Sequence, residues 1–428
     1  MRLVLVAIHR WLGLATAVFL MVAGLTGAII SWDHELDAAL NPHLYRAKSN
    51  GSGPIKPAAE LASMVEASDP RVTITFMPLT VEPGETWIAS VSPRFDPGAG
   101  APHRVDYNQV AVDPVTGEIQ GKRFWGEISL EPENLLPFLY KLHYSLHLPQ
   151  GFGIETGVLL MGVVGIVWVI DSLVAIWISF PSVGAWRKSL AFRWKAGGHR
   201  LTFDFHRSGG VWLFGLLLIV AVTSVSMNLQ NEVVRPIVNA ISPLSKDAFA
   251  QRTPRELNDP ATPALSAGQA VELARRQAVK LDIANPPGSV FYSPDFDLYG
   301  VGFHAPGNSH GDIGLGNPWI YLDGQTGALA SVLQPGKGSA GDIFMQAQFP
   351  LHSGRIAGVF GRVVMTLLGL AIAGFSATGI YLWARKRRAR MATKSFRERL
   401  PEAQYRGSGD AIRSSTRISP SWRSPPRR

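Results

Sequence analysis

The sequence predicts an integral membrane protein: an all-α four-helix bundle made of two parallel repeats, with two small α+β domains outside the membrane. Three observations predict this fold class. Basic residues are concentrated in a few short segments, and several short motifs occur once in each half of the chain. Four apolar runs also approach the ~20 residues needed to cross a bilayer. These runs are Trp11–Trp32, Ile154–Phe180, Val211–Met227 and Ile356–Trp383.

The composition excludes several classes of protein. The 428 residues include 41 Lys and Arg, 32 Asp and Glu, and no cysteine, for a net charge of +9. Without cysteine the chain cannot form disulfide scaffolds, iron–sulfur clusters, thiolate zinc sites or thiol nucleophiles. A hydrophobic content of 46% against 17% charged residues is too apolar for a disordered chain.

The charge distribution predicts the orientation of the four spans. Residues 1–10, residues 181–207 and the tail from Arg385 together hold 22 basic residues against four acidic ones. By the positive-inside rule, both termini and the short loop are cytoplasmic and both long loops are outside. The first apolar run is too long for a signal peptide, so we expect it to remain as a span. The basic excess therefore reflects topology, and we expect no nucleic-acid partner.

The spans divide the chain into eight segments. The predicted order is a first span (1–34), a first outer domain (35–140), a second span (141–180), a basic cytoplasmic loop (181–207), a third span (208–230), a second outer domain (231–345), a fourth span (346–385) and a basic, disordered cytoplasmic tail (386–428).

The two outer domains show the same order of elements. In the second, the stretch Ser266–Gln269 is a capping-box pattern that predicts a helix to about Lys280. Strand-like runs follow and lead into a turn at Asp323–Gly327. In the first, a weaker helix near Ala58–Ala67 and three such runs precede a matching turn at Asp113–Gly117. We therefore predict a small α+β unit in each domain.

The span entries repeat as well. His9-Arg10 recurs as His206-Arg207 after 197 residues, and Leu146-His147 recurs as Leu351-His352 after 205 residues. The Asp-x-x-Thr-Gly turns recur after 210 residues. Parallel repeats place equivalent residues at one depth on opposite sides of an axis along the membrane normal. We therefore expect His9 to face His206 near the cytoplasm and His147 to face His352 near the outside.

Two opposed imidazoles are the axial ligands that a six-coordinate haem iron needs. No Cys-x-x-Cys-His motif is present, so the haem would be held non-covalently, as haem b, with one group at each level. His143 lies four residues before His147 on the same helix face, so either could be the ligand and the other a propionate or substrate contact. His34 is a further candidate at the outer level. The alternative is that these histidines simply prefer the wet membrane boundary.

Asp171 is the one acid deep inside a predicted span. A charge facing lipid is costly, so we expect the side chain to face the bundle. It could hydrogen-bond a ligand histidine or take part in proton movement. The alternative is a protonated acid that bonds a neighbouring serine or carbonyl group.

These motifs resemble the PepSY-associated transmembrane family. The Asp-x-x-Thr-Gly turns resemble the end of a PepSY domain, and the His-Arg and Leu-His span entries, with Thr378-Gly379 and Trp383, resemble the transmembrane signature. The resemblance covers roughly residues 1–390. Some members are siderophore-iron reductases of the bacterial inner membrane that carry b-type haems on helix histidines, and others have no established activity.

The resemblance implies an oxidoreductase that passes electrons to ferric-siderophore iron in the periplasm. It places the chain in the inner membrane, with both termini cytoplasmic and two PepSY-like periplasmic domains. Because no nicotinamide or flavin motif is present, the donor would be a membrane quinol or a cytoplasmic reductase. The alternative function is a membrane-anchored PepSY protein that binds partners or regulates proteases without redox activity.

Overall fold

The structure is a computed structural model. It describes residues 1–399 except 152, 153, 181, 183, 185, 256–260, 310 and 312. The α-helices are α1 (Arg2–Ile30), α2 (Asp33–Leu40), α3 (Pro42–Tyr45), α4 (Ala58–Ser68), α5 (Pro132–Ser145), α6 (Thr156–Ser179), α7 (Trp186–Leu190), α8 (Gly198–Asp204), α9 (Gly210–Trp212), α10 (Phe214–Asn228), α11 (Arg235–Ile241), α12 (Ala267–Lys280), α13 (Ala340–Ser353) and α14 (Gly358–Arg399).

The strands are β1 (Val72–Pro78), β2 (Trp87–Pro93), β3 (Phe95–Asp96), β4 (Ala101–Pro102), β5 (Gln109–Val112), β6 (Ile119–Arg123), β7 (Pro287–Ser293), β8 (Leu298–Phe303), β9 (Trp319–Asp323) and β10 (Leu329–Leu333). Eight of them form one antiparallel sheet in the order β10-β9-β8-β7-β1-β2-β5-β6, and β3 pairs with β4 alone.

The predicted fold class, an all-α four-helix bundle with two separate small domains, is wrong. Four strands from each half join through β1 and β7, where Phe76 pairs with Phe291 and Pro78 with Ser289. An unpaired edge strand leaves its N–H and C=O groups without partners, and this pairing removes two such edges. The described part of the chain is therefore a mixed α and β structure with one continuous sheet.

Among the described residues, three helices are long and apolar enough to span a membrane: Arg2–Ile30, Thr156–Ser179 and Arg355–Ser395. The third apolar run of the sequence is instead a broken pair, Gly198–Trp212 and Phe214–Asn228, bent by 70°. Helix α14 contains nearly all of the fourth run and continues through residues 386–399, which were predicted to belong to a disordered tail. Residues 400–428 of that tail lie outside the described residues.

Small residues let the spanning helices approach closely. A Cβ atom added to Gly24 of α1 would lie 2.6 Å from the carbonyl oxygen of Gly369 in α14, and one added to Gly369 would lie 2.5 Å from the carbonyl oxygen of Gly24. Helices in lipid associate through such packing because burial of apolar surface gives them little driving force. Helix α1 therefore packs along α14, and α6 packs along α10 in the same way.

The hydrophobic core of the sheet draws on both halves. Trp87 of β2 and Phe303, Ile320 and Leu322 of β8 and β9 are fully buried, and α4 and α12 supply further side chains to the same cluster. The prediction for α12 is confirmed: Ser266 and Gln269 form the capping box and the helix ends at Lys280.

Both Asp-x-x-Thr-Gly motifs form turns. Gly117 and Gly327 adopt φ of +80° and +70°, a conformation that favours glycine. Burial raises the pKa of Asp323, but hydrogen bonds from Thr326, Arg252 and Gln325 outweigh it and lower the pKa to about 2. The carboxylate therefore holds the turn together by accepting several hydrogen bonds at once.

A buried ionic network ties the sheet to the helices. Arg123 of β6 donates to Asp37 of α2 over 2.7 Å, and both side chains are almost completely buried. Asp37 also accepts from Tyr45 and Asn41, and Arg123 donates to the carbonyl oxygen of Glu133 in α5. The end of the sheet is thus fixed relative to α5, which carries one of the site histidines.

Val290→Ala in β7 is expected to lower stability by about 2 kcal/mol, because it removes buried methyl groups at 2% exposure. Since β7 joins the two halves, amide hydrogen exchange should accelerate in β2 as well as in β8. Val279→Ala, at a position of α12 that is 78% exposed, is the control and should change neither the stability nor the exchange rates. Faster exchange in β7–β10 alone would contradict a single cooperative sheet.

Candidate functional site

Two histidines meet near the start of α1 and the end of α14; we call them the tail-side pair. His9 lies in α1, and His206 lies in a π-helical turn, Phe205–Gly209, that precedes α9. Their ring centroids are 6.2 Å apart and their planes are tilted by 46°. Short π-helical segments are rare and often occur at functional sites, which is consistent with His206 being placed by one.

Two further histidines meet at the opposite ends of the spans, below the sheet; we call them the sheet-side pair. His143 lies in the last turn of α5 and His352 in the last turn of α13. Their ring centroids are 6.1 Å apart with an interplanar angle of 62°. Each pair takes one histidine from each half of the chain.

The orientation of His143 follows from its hydrogen bonds to α1. Its Nδ1 lies 3.0 Å from the carbonyl oxygen of Ala23 and 3.1 Å from the hydroxyl of Thr26. A carbonyl oxygen only accepts, so Nδ1 carries the proton and Nε2 keeps its lone pair. The Thr26 hydroxyl donates to the carbonyl oxygen of Val22 and can therefore accept from Nδ1.

The same anchor recurs twice in the second half. His352 Nδ1 lies 3.0 Å from the hydroxyl of Thr223, which itself donates to the carbonyl oxygens of Ile219 and Val220. His206 Nδ1 lies 3.1 Å from the hydroxyl of Thr378, which itself donates to the carbonyl oxygens of Gly374 and Phe375. In all three cases the threonine hydroxyl donates to the carbonyl oxygen four residues earlier in its helix and can therefore accept from Nδ1.

His9 is anchored differently. Its Nδ1 donates to Oδ1 of Asp171 over 2.9 Å, and Asp171 lies in α6, the span of the first half that corresponds to α14. Of the two roles considered for Asp171 in the sequence, hydrogen bonding to a candidate ligand histidine is the one that this contact provides.

Two glycines leave room for the anchored rings. A Cβ atom on Gly27 would lie 2.9 Å from Cε1 of His143, and one on Gly379 would lie 3.2 Å from Cε1 of His206. Each glycine directly follows an anchoring threonine. The dipeptides Thr26-Gly27 and Thr378-Gly379 therefore both hold the ring and make space for it.

The remaining candidate histidines lie away from the pairs. His147 adopts a left-handed backbone with φ of 53°, turns back onto α5, stacks on Phe138 and donates Nε2–H to its carbonyl oxygen over 2.8 Å. His34 is exposed on α2 and contacts the ring of Tyr45 edge-on. The structure thus brings His143, rather than His147, beside His352.

A cavity of about 1,320 Å³ surrounds the tail-side pair. Asp171 is the one acidic residue that lines it in the described part of the chain. Its basic lining residues are Arg2, Arg10, Arg207, Arg385, Lys386, Arg387 and Arg390. Within the described part of the chain, the Nε atoms of Arg10 and Arg207 are buried without a hydrogen-bond partner. This lining suits a large ligand that carries negative charge.

The geometry of both pairs fits two axial ligands of one metal ion. Two imidazole nitrogens that each lie ~2 Å from a metal put the ring centroids about 6 Å apart, close to the 6.2 and 6.1 Å observed. Among the described residues, no group of three or more His, Asp or Glu side chains converges as a metal site. A metal ion held by either pair would need further ligands, and a macrocycle with carboxylates would suit the positions of Arg10 and Arg207.

The sequence did not predict the threonine anchors, although Thr378 is part of the Thr378-Gly379 motif. A signal was available: Thr26-Gly27 repeats the Thr378-Gly379 dipeptide, and Thr26 and Thr223 each lie 17 residues after His9 and His206. Seventeen residues of helix cover ~25 Å. In the continuous helix α1 this spacing puts His9 at one level and Thr26 at the other, whereas the segment from His206 to Thr223 is broken by the 70° bend.

The fold and the paired histidines define a membrane protein built from a duplicated helix–sheet–helix unit. A family model described as the PepSY-associated TM region matches residues 6–386. The chain belongs to this family, as its motifs predicted. No curated protein was found to match the sequence.

Gly27→Ala is expected to destabilise the protein by about 1–3 kcal/mol, because the new methyl group overlaps the His143 ring. Gly374→Ala in α14 is the matched control, since a Cβ atom there meets nothing within 4 Å. Melting temperatures of the detergent-solubilised full chain would compare them. Equal melting temperatures for the two variants would show that the His143 ring is not packed against Gly27.

Proposed function

We propose that this protein is a haem-containing oxidoreductase of the bacterial inner membrane that transfers electrons across the bilayer. The tail side, where α1 begins and α14 ends, is cytoplasmic, and the sheet lies in the periplasm. Two haem b groups are bound, one by His9 and His206 and the other by His143 and His352. When bound, haem supplies a metal centre that accepts and releases single electrons.

The observation that carries this proposal is the anchoring of all four imidazoles through Nδ1. The threonine anchors of three histidines and the Asp171 anchor of His9 each accept a hydrogen bond from Nδ1, which leaves Nε2 of a neutral ring free. Neutral imidazole with a free Nε2 is the form that binds a metal. A histidine that only placed its polar ring at the membrane boundary would not need a second imidazole ring whose centroid lies 6.1 or 6.2 Å away.

The acceptor is ferric iron in a siderophore, and this part of the proposal depends on the family resemblance. Hard oxygen ligands hold Fe(II) less tightly than Fe(III), so one-electron reduction releases the iron. The donor is a membrane quinol or a cytoplasmic reductase. The basic lining of the tail-side cavity supports an anionic haem or an acidic partner on that face.

A reduced-minus-oxidised absorption spectrum of the purified full chain tests the proposal. We expect a b-type haem band, with two haems per chain by extraction. After reduction, addition of a ferric hydroxamate or catecholate should reoxidise the haem. A colourless protein would contradict the proposal and favour a membrane-anchored PepSY protein that binds partners or regulates proteases.

His143→Ala should remove about half of the haem, because one of the four ligands is lost and the tail-side pair remains intact. His147→Ala is the matched control, four residues along the same segment, and should keep both haems since its ring is bonded to Phe138. Haem-to-protein ratios of the two variants measure this. The opposite result, with loss only in His147→Ala, would contradict the pairing of His143 with His352.

A further inference from the structure

Three of the four anchored histidines have the same surroundings, and His9 is the exception. His143, His206 and His352 each donate to a threonine hydroxyl, and His143 also donates to the carbonyl oxygen of Ala23. His9 donates to a carboxylate, Asp171, at the shortest of the four anchoring distances between side chains, 2.9 Å. The two halves of the repeat thus differ at one chemically important position.

Asp171 has few compensating contacts. It lies within the membrane-spanning helix α6, is 7% exposed, and has His9 as its one hydrogen-bond partner among the described residues. Gly13 of α1 lies against its second oxygen, where a Cβ atom would come 3.5 Å from Oδ2. A carboxylate at membrane depth is costly, and the corresponding anchor in α14, Thr378, holds a histidine without one.

We propose that Asp171 is a positioning residue that acts through His9 to lower the reduction potential of the group held by the tail-side pair. This inference rests on the proposed function. A carboxylate that accepts the Nδ1–H bond raises the electron density on Nε2 more than a threonine hydroxyl does. A more basic ligand favours the oxidised, more positively charged state of a bound metal.

The threonine anchors cannot have this effect to the same degree. Each hydroxyl carries no net charge and already donates to a carbonyl one turn earlier, as Thr26 does to Val22 and Thr378 to Gly374. The sheet-side pair has two such anchors and no carboxylate. The resulting difference in potential favours electrons on the sheet side, which is the direction that the proposed function requires.

A spectroscopic redox titration of the haem-loaded full chain tests this inference. The wild type should show two one-electron steps. In Asp171→Asn, which keeps the hydrogen-bond acceptor and removes the charge, the lower potential should rise by about 59 mV or more, equal to a tenfold change in the reduction equilibrium. The higher potential should stay unchanged. The basic residues around the cavity are the same in both proteins, so the shift reports on the carboxylate alone.

Two variants serve as controls. Thr378→Val removes the hydroxyl at the other histidine of the same pair and should shift the lower potential much less. Asp171→Glu keeps the carboxylate and should keep the low potential, so it separates charge from damage to the fold if Asp171→Asn loses haem. In that case, a Glu variant that also lacks the low-potential step would overturn the inference.

The possible failures are distinguishable. If the wild type binds no haem, the proposed function fails, and the inference fails with it. If both haems are present and Asp171→Asn leaves the lower potential unchanged, or shifts the higher one, the proposed function stands and the role of Asp171 is overturned.

Discussion

The hydrogen bond from each histidine Nδ1 to a neighbouring helix is the constraint on which the membrane part depends. A polar ring inside a bilayer needs a partner, and here the partner always comes from the same half of the chain. His143 bonds α1 and His352 bonds α10, while His9 bonds α6 and His206 bonds α14. Each half therefore presents two oriented rings, and packing α1 on α14 brings those rings together.

The anchors also explain why small residues lie where they do. Gly27 and Gly379 lie under the imidazoles, whereas Gly24 and Gly369 let the backbones of α1 and α14 touch. One set makes room for rings and the other brings helices together. A helix that does both needs small and polar residues at defined positions among its large apolar ones, and the Thr-Gly dipeptides supply them.

Much of this could be predicted from the sequence, and the rest depends on contacts between distant residues. The repeat of His9 and His206 was visible because both begin an apolar run, and α12 was visible because its cap is local. The choice between His143 and His147 could not be predicted from the sequence, since residues four apart share a helix face. It depends on where α5 ends: left-handed Leu146 and His147 turn the chain, and the His147 ring folds back onto Phe138. The pairing of β1 with β7 could not be predicted from the sequence either, because strand periodicity identifies a strand but not its neighbour.

The pairing of β1 with β7 has a consequence for whether a single unit of the repeat could be complete by itself. Phe76 and Phe291, one from each half, lie opposite each other at the junction of the sheet. A polypeptide with a single unit would have an open strand edge and would supply one ring to each level. Two copies related by a two-fold axis would close the edge and complete both levels together. In this architecture the duplication is thus equivalent to a homodimer whose subunits have been fused, with the symmetry then relaxed at positions such as Asp171 and the bend of the third span.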